Sequence, residues 1–153
     1  MKKGTLLNAP LSAAIASMGH TDGLLICDAG YPIPPEAARI DFALTQGVPS
    51  FLQVLDAACK ELFVERILLA EEIETVNPAL HQQILTSLKA VEVQQARDYA
   101  KPGHSITIEY TPHETFKQEG KRAKATVRSG ECTPYANIIL YAGVTFWTRR
   151  NAC

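Results

Sequence analysis

Charge of one sign is missing from this chain. Fifteen Lys and Arg stand against 16 Asp and Glu, a formal net charge of −1. No general electrostatic pull toward nucleic acid or an anionic membrane is available, so neither is an expected partner. Long apolar runs are missing too, none approaching the ~20 residues of a spanning helix. The basic start, Met1-Lys2-Lys3, is interrupted by Asn8 and Pro10 before the apolar core of a signal peptide can form. Cysteine is sparse. Cys27, Cys59, Cys132 and Cys153 make no Cys-x-x-Cys pair and fit no zinc pattern, so no metal site is expected. Cys27 and Cys59 lie in apolar stretches, where a free thiol acts as a small hydrophobe. The expectation is a reducing, cytoplasmic setting without disulfides. The common catalytic signatures are absent as well. There is no Gly-x-Gly-x-x-Gly, no Walker loop, no Gly-x-Ser-x-Gly and no His-Glu-x-x-His. A nucleotide enzyme, a serine hydrolase and a zinc protease all lose weight. Internal repeats and low-complexity tracts are lacking.

What is present is an ordinary core. Hydrophobic residues make up 46% of 153, enough for a single domain over 1–153. Asn8 can cap a helix with Pro10 in its first turn. Leu11, Ile15 and Met18 then share a face up to a stop at Gly19. Residues 23–28 read as a buried strand, and 38–44 as a second, short one. Ser50 with Gln53 makes a capping box, opening a helix with the stripe Leu52, Leu55, Ala58, Cys59 and Leu62. Val64–Ala70 is a third strand. Asn77-Pro78 opens a helix carrying Leu80, Ile84, Leu85, Leu88 and Val91. The polar stretch 94–104 reads as a loop or a fraying helix end. Residues 104–110 alternate as a strand, and Thr111-Pro112 opens a short helix. Ala125–Arg128 and 137–142 close the chain as strands. Strands alternating with helices specify an α/β fold of three layers, a largely parallel central sheet of about six strands flanked by helices.

The chemistry concentrates around residues 17–34. His20 and Asp22 precede the first strand, and Asp28 ends it, before the turn formers Gly30, Pro32 and Pro34. Ligands of open α/β sheets bind at the carboxyl ends of strands. Histidine is the side chain that exchanges protons near neutral pH. Each residue also has a bland reading. His20 serves equally as a solvated loop residue, and Asp22 and Asp28 as turn formers. His113 and Lys117 would by default be solvated on a short helix, and His81 and His104 structural or surface residues. Tyr135-Ala136-Asn137 enters a strand, although Tyr and Asn are good partners for sugar hydroxyls.

Several short motifs, taken in order, go further. They are Gly19-His20-Thr21-Asp22, Cys27-Asp28-Ala29-Gly30, Pro32-Ile33-Pro34, Arg39-Ile40-Asp41, residues 45–51, Ala70-Glu71-Glu72-Ile73, His113-Glu114-x-Phe116-Lys117 and residues 128–137. Together they resemble the ribose pyranase and fucose mutarotase family over nearly the whole chain, and the Pro-Ile-Pro and Arg-Ile-Asp stretches look like its ribose branch. The resemblance implies a cofactor-free isomerase that interconverts the pyranose and furanose forms of β-D-ribose by acid–base ring opening and closure. It implies a cytoplasmic homodecamer of two stacked pentameric rings. It implies that His20 is the catalytic acid. Asp28, His113, Tyr135, Ala136 and Asn137 would hold the sugar, with Asp22 and Lys117 close by. A neighbouring subunit would complete each pocket, with Lys117 the expected visitor. Tyr31 stands where the family often has leucine, and 147–153 extends past the family's usual end. Two rival readings remain, a fucose-type mutarotase and a non-catalytic sugar-binding module associated with ribose uptake.

Overall fold

Five consecutive buried residues, Gly23-Leu24-Leu25-Ile26-Cys27, form the strand around which the sheet is laid. Burial on both faces requires a layer on each side. The computed structural model describes residues 1–99 and 103–146; the expected extension, 147–153, lies outside the described residues. In chain order the elements are α1 (Ala9–Ala16), β1 (Gly23–Cys27), β2 (Arg39–Asp41), α2 (Phe51–Cys59), β3 (Val64–Ala70), α3 (Ile73–Val76), α4 (Pro78–Asp98), β4 (Thr107–Thr111), α5 (His113–Gly120), β5 (Ala125–Arg128) and β6 (Ile138–Ala142).

The strand order is β2-β5-β1-β6-β3-β4. β2, β5 and β1 run parallel, as do β3 and β4. Only β6 is antiparallel to its neighbours. It follows β5 through a helix-free loop, and a parallel return would need a crossover of about a dozen residues or more. The largely parallel α/β sheet expected from the sequence is the one that forms.

Alternation along the strands divides the core. Leu24, Ile26, Ile67, Leu69, Ile138 and Leu140 face Leu55, Ala58, Ile84 and Leu88 of α2 and α4. Leu25, Cys27, Leu68, Ala70 and Ile139 face Phe116 of α5. Tyr31 joins this second cluster, its ring edge-on to Phe116 at 6.2 Å.

Local signals acted largely as expected. The Asn8 side chain accepts the Leu11 N–H at 2.8 Å, and the Ser50–Gln53 capping box is complete. The buried stripe of α2 is rotated toward Phe51 and Val54, leaving Leu52 only partly buried. Helix α4 continues through residues 94–98, which the sequence left as loop or frayed end. Asn77 does not cap it; its amide donates instead to Thr133 Oγ1 and the Pro134 carbonyl, both at 3.2 Å. Among the described residues no helix is long and apolar enough to cross a membrane.

Candidate active site

The carboxyl edge of the sheet gathers most of the expected site. Asp28 follows β1 directly. Its N–H donates to Asn137 Oδ1 at 3.0 Å, and Asn137 Nδ2 donates back to Asp28 Oδ2 at 2.9 Å. The Gly30 N–H donates to Asp28 Oδ1 at 2.9 Å. Asn137 is 1% exposed, and both ends of its amide are spent on Asp28, so it fixes the carboxylate. Burial pushes the Asp28 carboxyl above its ordinary value; the bonds from Asn137 and Gly30, and the nearby His113, pull the other way.

His113 opens α5 beside this pair. Its ring meets Tyr135 edge-on at 5.0 Å and lies parallel to Phe116 at 6.4 Å. Its Nδ1 is buried and has no hydrogen-bond partner among the described residues. Such an orphan costs about 1–3 kcal/mol, a deficit that a ligand hydroxyl would remove. Tyr135 holds φ 59°, a left-handed conformation costly for a bulky side chain. Ala136, fully buried, offers its side chain only for packing. Lys117 lies one turn along α5 from His113 and pairs with Glu114.

The motifs that carried the resemblance are the frame of this edge. Helix α5 has no side-chain cap of its own at Pro112. The Glu72 carboxylate accepts the His113 N–H instead, at 3.0 and 3.1 Å, supplying negative charge to a helix N-terminus. Arg128 donates to the Ala29 carbonyl at 3.0 Å and pairs with Asp41 at 3.2 Å. The Ser129 hydroxyl donates to the Cys27 carbonyl at 2.8 Å. Glu131 accepts the Cys132 and Thr133 N–H groups. Gly130 is held against residue 48 so closely that a Cβ would lie 2.6 Å from the Val48 nitrogen.

His20 and Asp22 are not at this edge. The Thr21 N–H donates to the Ala142 carbonyl at 2.8 Å, and the Ala142 N–H to the Asp22 carbonyl at 2.9 Å. These bonds tie residues 20–22 to the end of β6, whereas Asn137 and Asp28 meet at its beginning. At about 3.3 Å per residue, β1 separates the two edges by about 16 Å. His20 and Asp28 therefore do not converge within one chain. Lys117 shares α5 with His113, so among the expected residues it is His20 and Asp22 that stand apart from the Asp28 cluster.

His20 has its own setting. Its Nε2 lies 3.0 Å from Glu65 Oε2. Thr21 holds φ 70°, again left-handed without a glycine. The Asp22 carboxylate accepts the Gly19 N–H at 2.8 Å and Lys124 Nζ at 3.0 Å. Those two bonds, the first foremost, hold its carboxyl below the usual carboxylate range. A depression here is lined by His20, Thr21, Glu65, Arg66, Thr107 and Tyr141.

The other two histidines each have a side-chain partner. His81 bonds the Tyr110 hydroxyl at 2.8 Å, and His104 lies 2.6 Å from the Gln95 amide. No three His, Cys, Asp or Glu side chains gather to hold a metal ion among the described residues. Two residues escaped sequence reasoning as contributors. Glu72 was quoted within a motif without a role, and Glu65 was not singled out at all; its only signal was the charged pair Glu65-Arg66 interrupting a strand that is otherwise apolar.

A model of the RbsD / FucU transport protein family matches residues 1–145. The chain belongs to that family. It is 58% identical over 146 residues to the D-ribose pyranase of Glaesserella parasuis serovar 5, covering 95% of this chain and 100% of the relative. Among solved structures, Bacillus subtilis RbsD complexed with D-ribose is 39% identical, with a TM-score of 0.79 over 95% of this chain and 100% of that one. The fucose mutarotase of Streptococcus pneumoniae, in complex with L-fucose, is 24% identical with a TM-score of 0.65 over 94% and 99%, a likeness of fold.

Proposed function

We propose that this RbsD/FucU family member is an isomerase that interconverts the pyranose and furanose forms of β-D-ribose, with no cofactor. The observation that carries this reading is its 58% identity to a D-ribose pyranase across that relative's full length. The unpaired His113 Nδ1 beside a carboxylate fixed by Asn137 supports the carboxyl edge as the sugar site. The 39% likeness to a ribose complex favours the ribose branch over a fucose-type mutarotase.

The chemistry asks for little machinery. His20, as imidazolium, gives a proton to the ring oxygen, and the bond from that oxygen to the anomeric carbon breaks. A base takes the anomeric hydroxyl proton, leaving an aldehyde. After rotation the 4-hydroxyl attacks the aldehyde carbon and yields its proton to His20, while the carbonyl oxygen is reprotonated. Positioned acid–base catalysis supplies about 10²–10⁴-fold, and uncatalysed ring opening already proceeds slowly in water. Asp28 accepts sugar hydroxyls, held in place by Asn137. Tyr135 and His113 fix the ring, and Lys117 contributes from the same helix.

Because His20 and Asp28 lie at opposite edges of the sheet, the complete site is shared. Asp28, His113, Tyr135 and Lys117 of one subunit receive His20 of the next. Such a site needs an assembly, and the family resemblance supports a decamer of two pentameric rings. It likewise supports a cytoplasmic location. Magnetisation-transfer NMR on ribose tests the activity. Enzyme-accelerated exchange between pyranose and furanose signals is the expected result. Exchange limited to α and β anomers or to fucose, or line broadening without acceleration, would overturn it.

A further inference from the structure

We propose that Glu65 is a positioning residue for His20, accepting its Nε2 proton and leaving Nδ1 to face the sugar. This rests on the reading of His20 as the acid. Three observations carry it. The first is the contact itself, Nε2 to Oε2 at 3.0 Å.

The second lies in the sheet. Val64 pairs with Ala142 and Arg66 with Tyr141, so two steps along β3 match one step along β6. Glu65 is the extra residue of a bulge. Without the bulge, strict alternation back from buried Ile67 would turn Glu65 toward the α2 and α4 core and Val64 away from it. With it, Val64 stays in that core, Arg66 lies over the Tyr141 ring at 3.6 Å, and Glu65 turns out beside His20. Bulges commonly re-aim a side chain next to an active site.

The third is the space around the carboxylate. A Cβ at Gly143 would lie 2.8 Å from Glu65 Oε2 and 2.9 Å from its Cβ. Only a residue without a side chain leaves the carboxylate where His20 meets it. On the other side of the ring, the left-handed Thr21 and its bond to Ala142 fix the backbone that carries His20. An exposed ion pair of this kind contributes little to stability, so the bulge is better explained by what it does to the imidazole. A hydrogen bond on one ring nitrogen decides which nitrogen carries the mobile proton.

The test compares Glu65→Ala, Glu65→Gln and His20→Ala in exchange rate and ribose affinity, and the Glu65 variants with wild type in the ring ¹⁵N shifts of His20. Glu65→Ala should lower exchange about tenfold or more, a share of the whole acid–base effect, with ribose affinity nearly unchanged. Its His20 ring should lose the Nε2–H tautomer signature. Glu65→Gln, whose amide oxygen can still accept that proton, should keep the signature and recover part of the rate. Gly143→Ala, which displaces the carboxylate without removing it, should resemble Glu65→Ala. Wild-type exchange in Glu65→Ala alongside an inactive His20→Ala would overturn the role of Glu65 alone. Lost exchange with an unchanged ¹⁵N signature, or in proportion to lost ribose affinity, would also overturn it. Wild-type exchange in His20→Ala would overturn the reading of His20 and this inference with it.

Discussion

A shared site can be counted. His20→Ala removes the proposed acid, and His113→Ala removes a ring that touches Phe116 and Tyr135 and whose buried Nδ1 has no hydrogen-bond partner among the described residues. Each variant alone should be nearly inactive. Mixed one to one, dissociated and reassembled, each site draws its His20 from one chain and its His113 from another. Half the chains carry an intact His20 and the other half an intact His113, so about a quarter of the sites recover both in a head-to-tail assembly. The reassembled mixture should therefore show about a quarter of wild-type exchange. A second arm removes any doubt about assembly. Wild type mixed one to one with the double variant should give about a quarter if sites are shared and about half if each chain holds its own. Native mass spectrometry verifies the mixing, and magnetisation-transfer NMR reads the exchange. Background exchange in the first mixture with half activity in the second would refute the shared site.

Asn137→Ala leaves the Asp28 N–H and one carboxylate oxygen without partners, and should destabilise the fold by about 2–4 kcal/mol in urea unfolding; a loss below about 1 kcal/mol would show that water replaces the amide freely. Burial raises the Asp28 carboxyl above its ordinary 3.8, so its contribution to the stability of the unliganded fold is full below about pH 3.8 and is lost as pH rises through the folded value. Sugar hydroxyls donating to the carboxylate favour its charged form, so ribose binding just above that pH should release a fraction of a proton, measured by calorimetry in two buffers of different ionisation heat. Identical heats in both buffers would count against a direct contact. Prolonged chelation should leave exchange unchanged, and recovery of a lost rate on adding a divalent ion would show that a metal takes part.

The fold was legible where signals were local. The Asn8 cap, the Ser50–Gln53 box and the apolar run of β1 each set their element without help from distant residues. The legible pattern failed where a distant group intervened. Asn77-Pro78 looks like a cap and a first turn, but Thr133 and Pro134 capture the Asn77 amide. Thr111-Pro112 marks the start of α5, but the carboxylate that satisfies it comes from Glu72. The site shows the same division. Asp28, His113, Tyr135 and Asn137 meet because the strands that carry them end at one edge, a consequence of topology that an alternating pattern anticipates. The bond from Asn137 to Asp28 was not anticipated, because an amide suited to sugar hydroxyls suits a carboxylate equally well. The separation of His20 could not be read from its nearness to Asp28 in sequence. A strand separates neighbours in sequence by about 3.3 Å per residue, roughly twice the rise of a helix.

That separation bears on how the chain assembles. Each chain carries His20 at one edge of its sheet and the Asp28–His113 cluster at the other, and the proposed site needs both. A contact that joins them pairs one edge of a chain with the opposite edge of its neighbour; it is isologous where two chains exchange His20 reciprocally, and heterologous where the donation runs one way, in which case it closes into a ring or runs on as a filament. In a closed ring every chain gives its His20 to one neighbour and receives His20 from the other, so all sites are equivalent and none is left incomplete at an end. The backbone carries a matching sign at both edges. Thr21 and Tyr135 are the two non-glycine residues at positive φ among those described, one beside His20 and one beside His113. Strain of about 1–3 kcal/mol at each persists only where the surroundings over-determine it. Its presence on both faces of the proposed contact is in keeping with a site shared across it, in which case the distance across β1 is the reason activity would need the assembly.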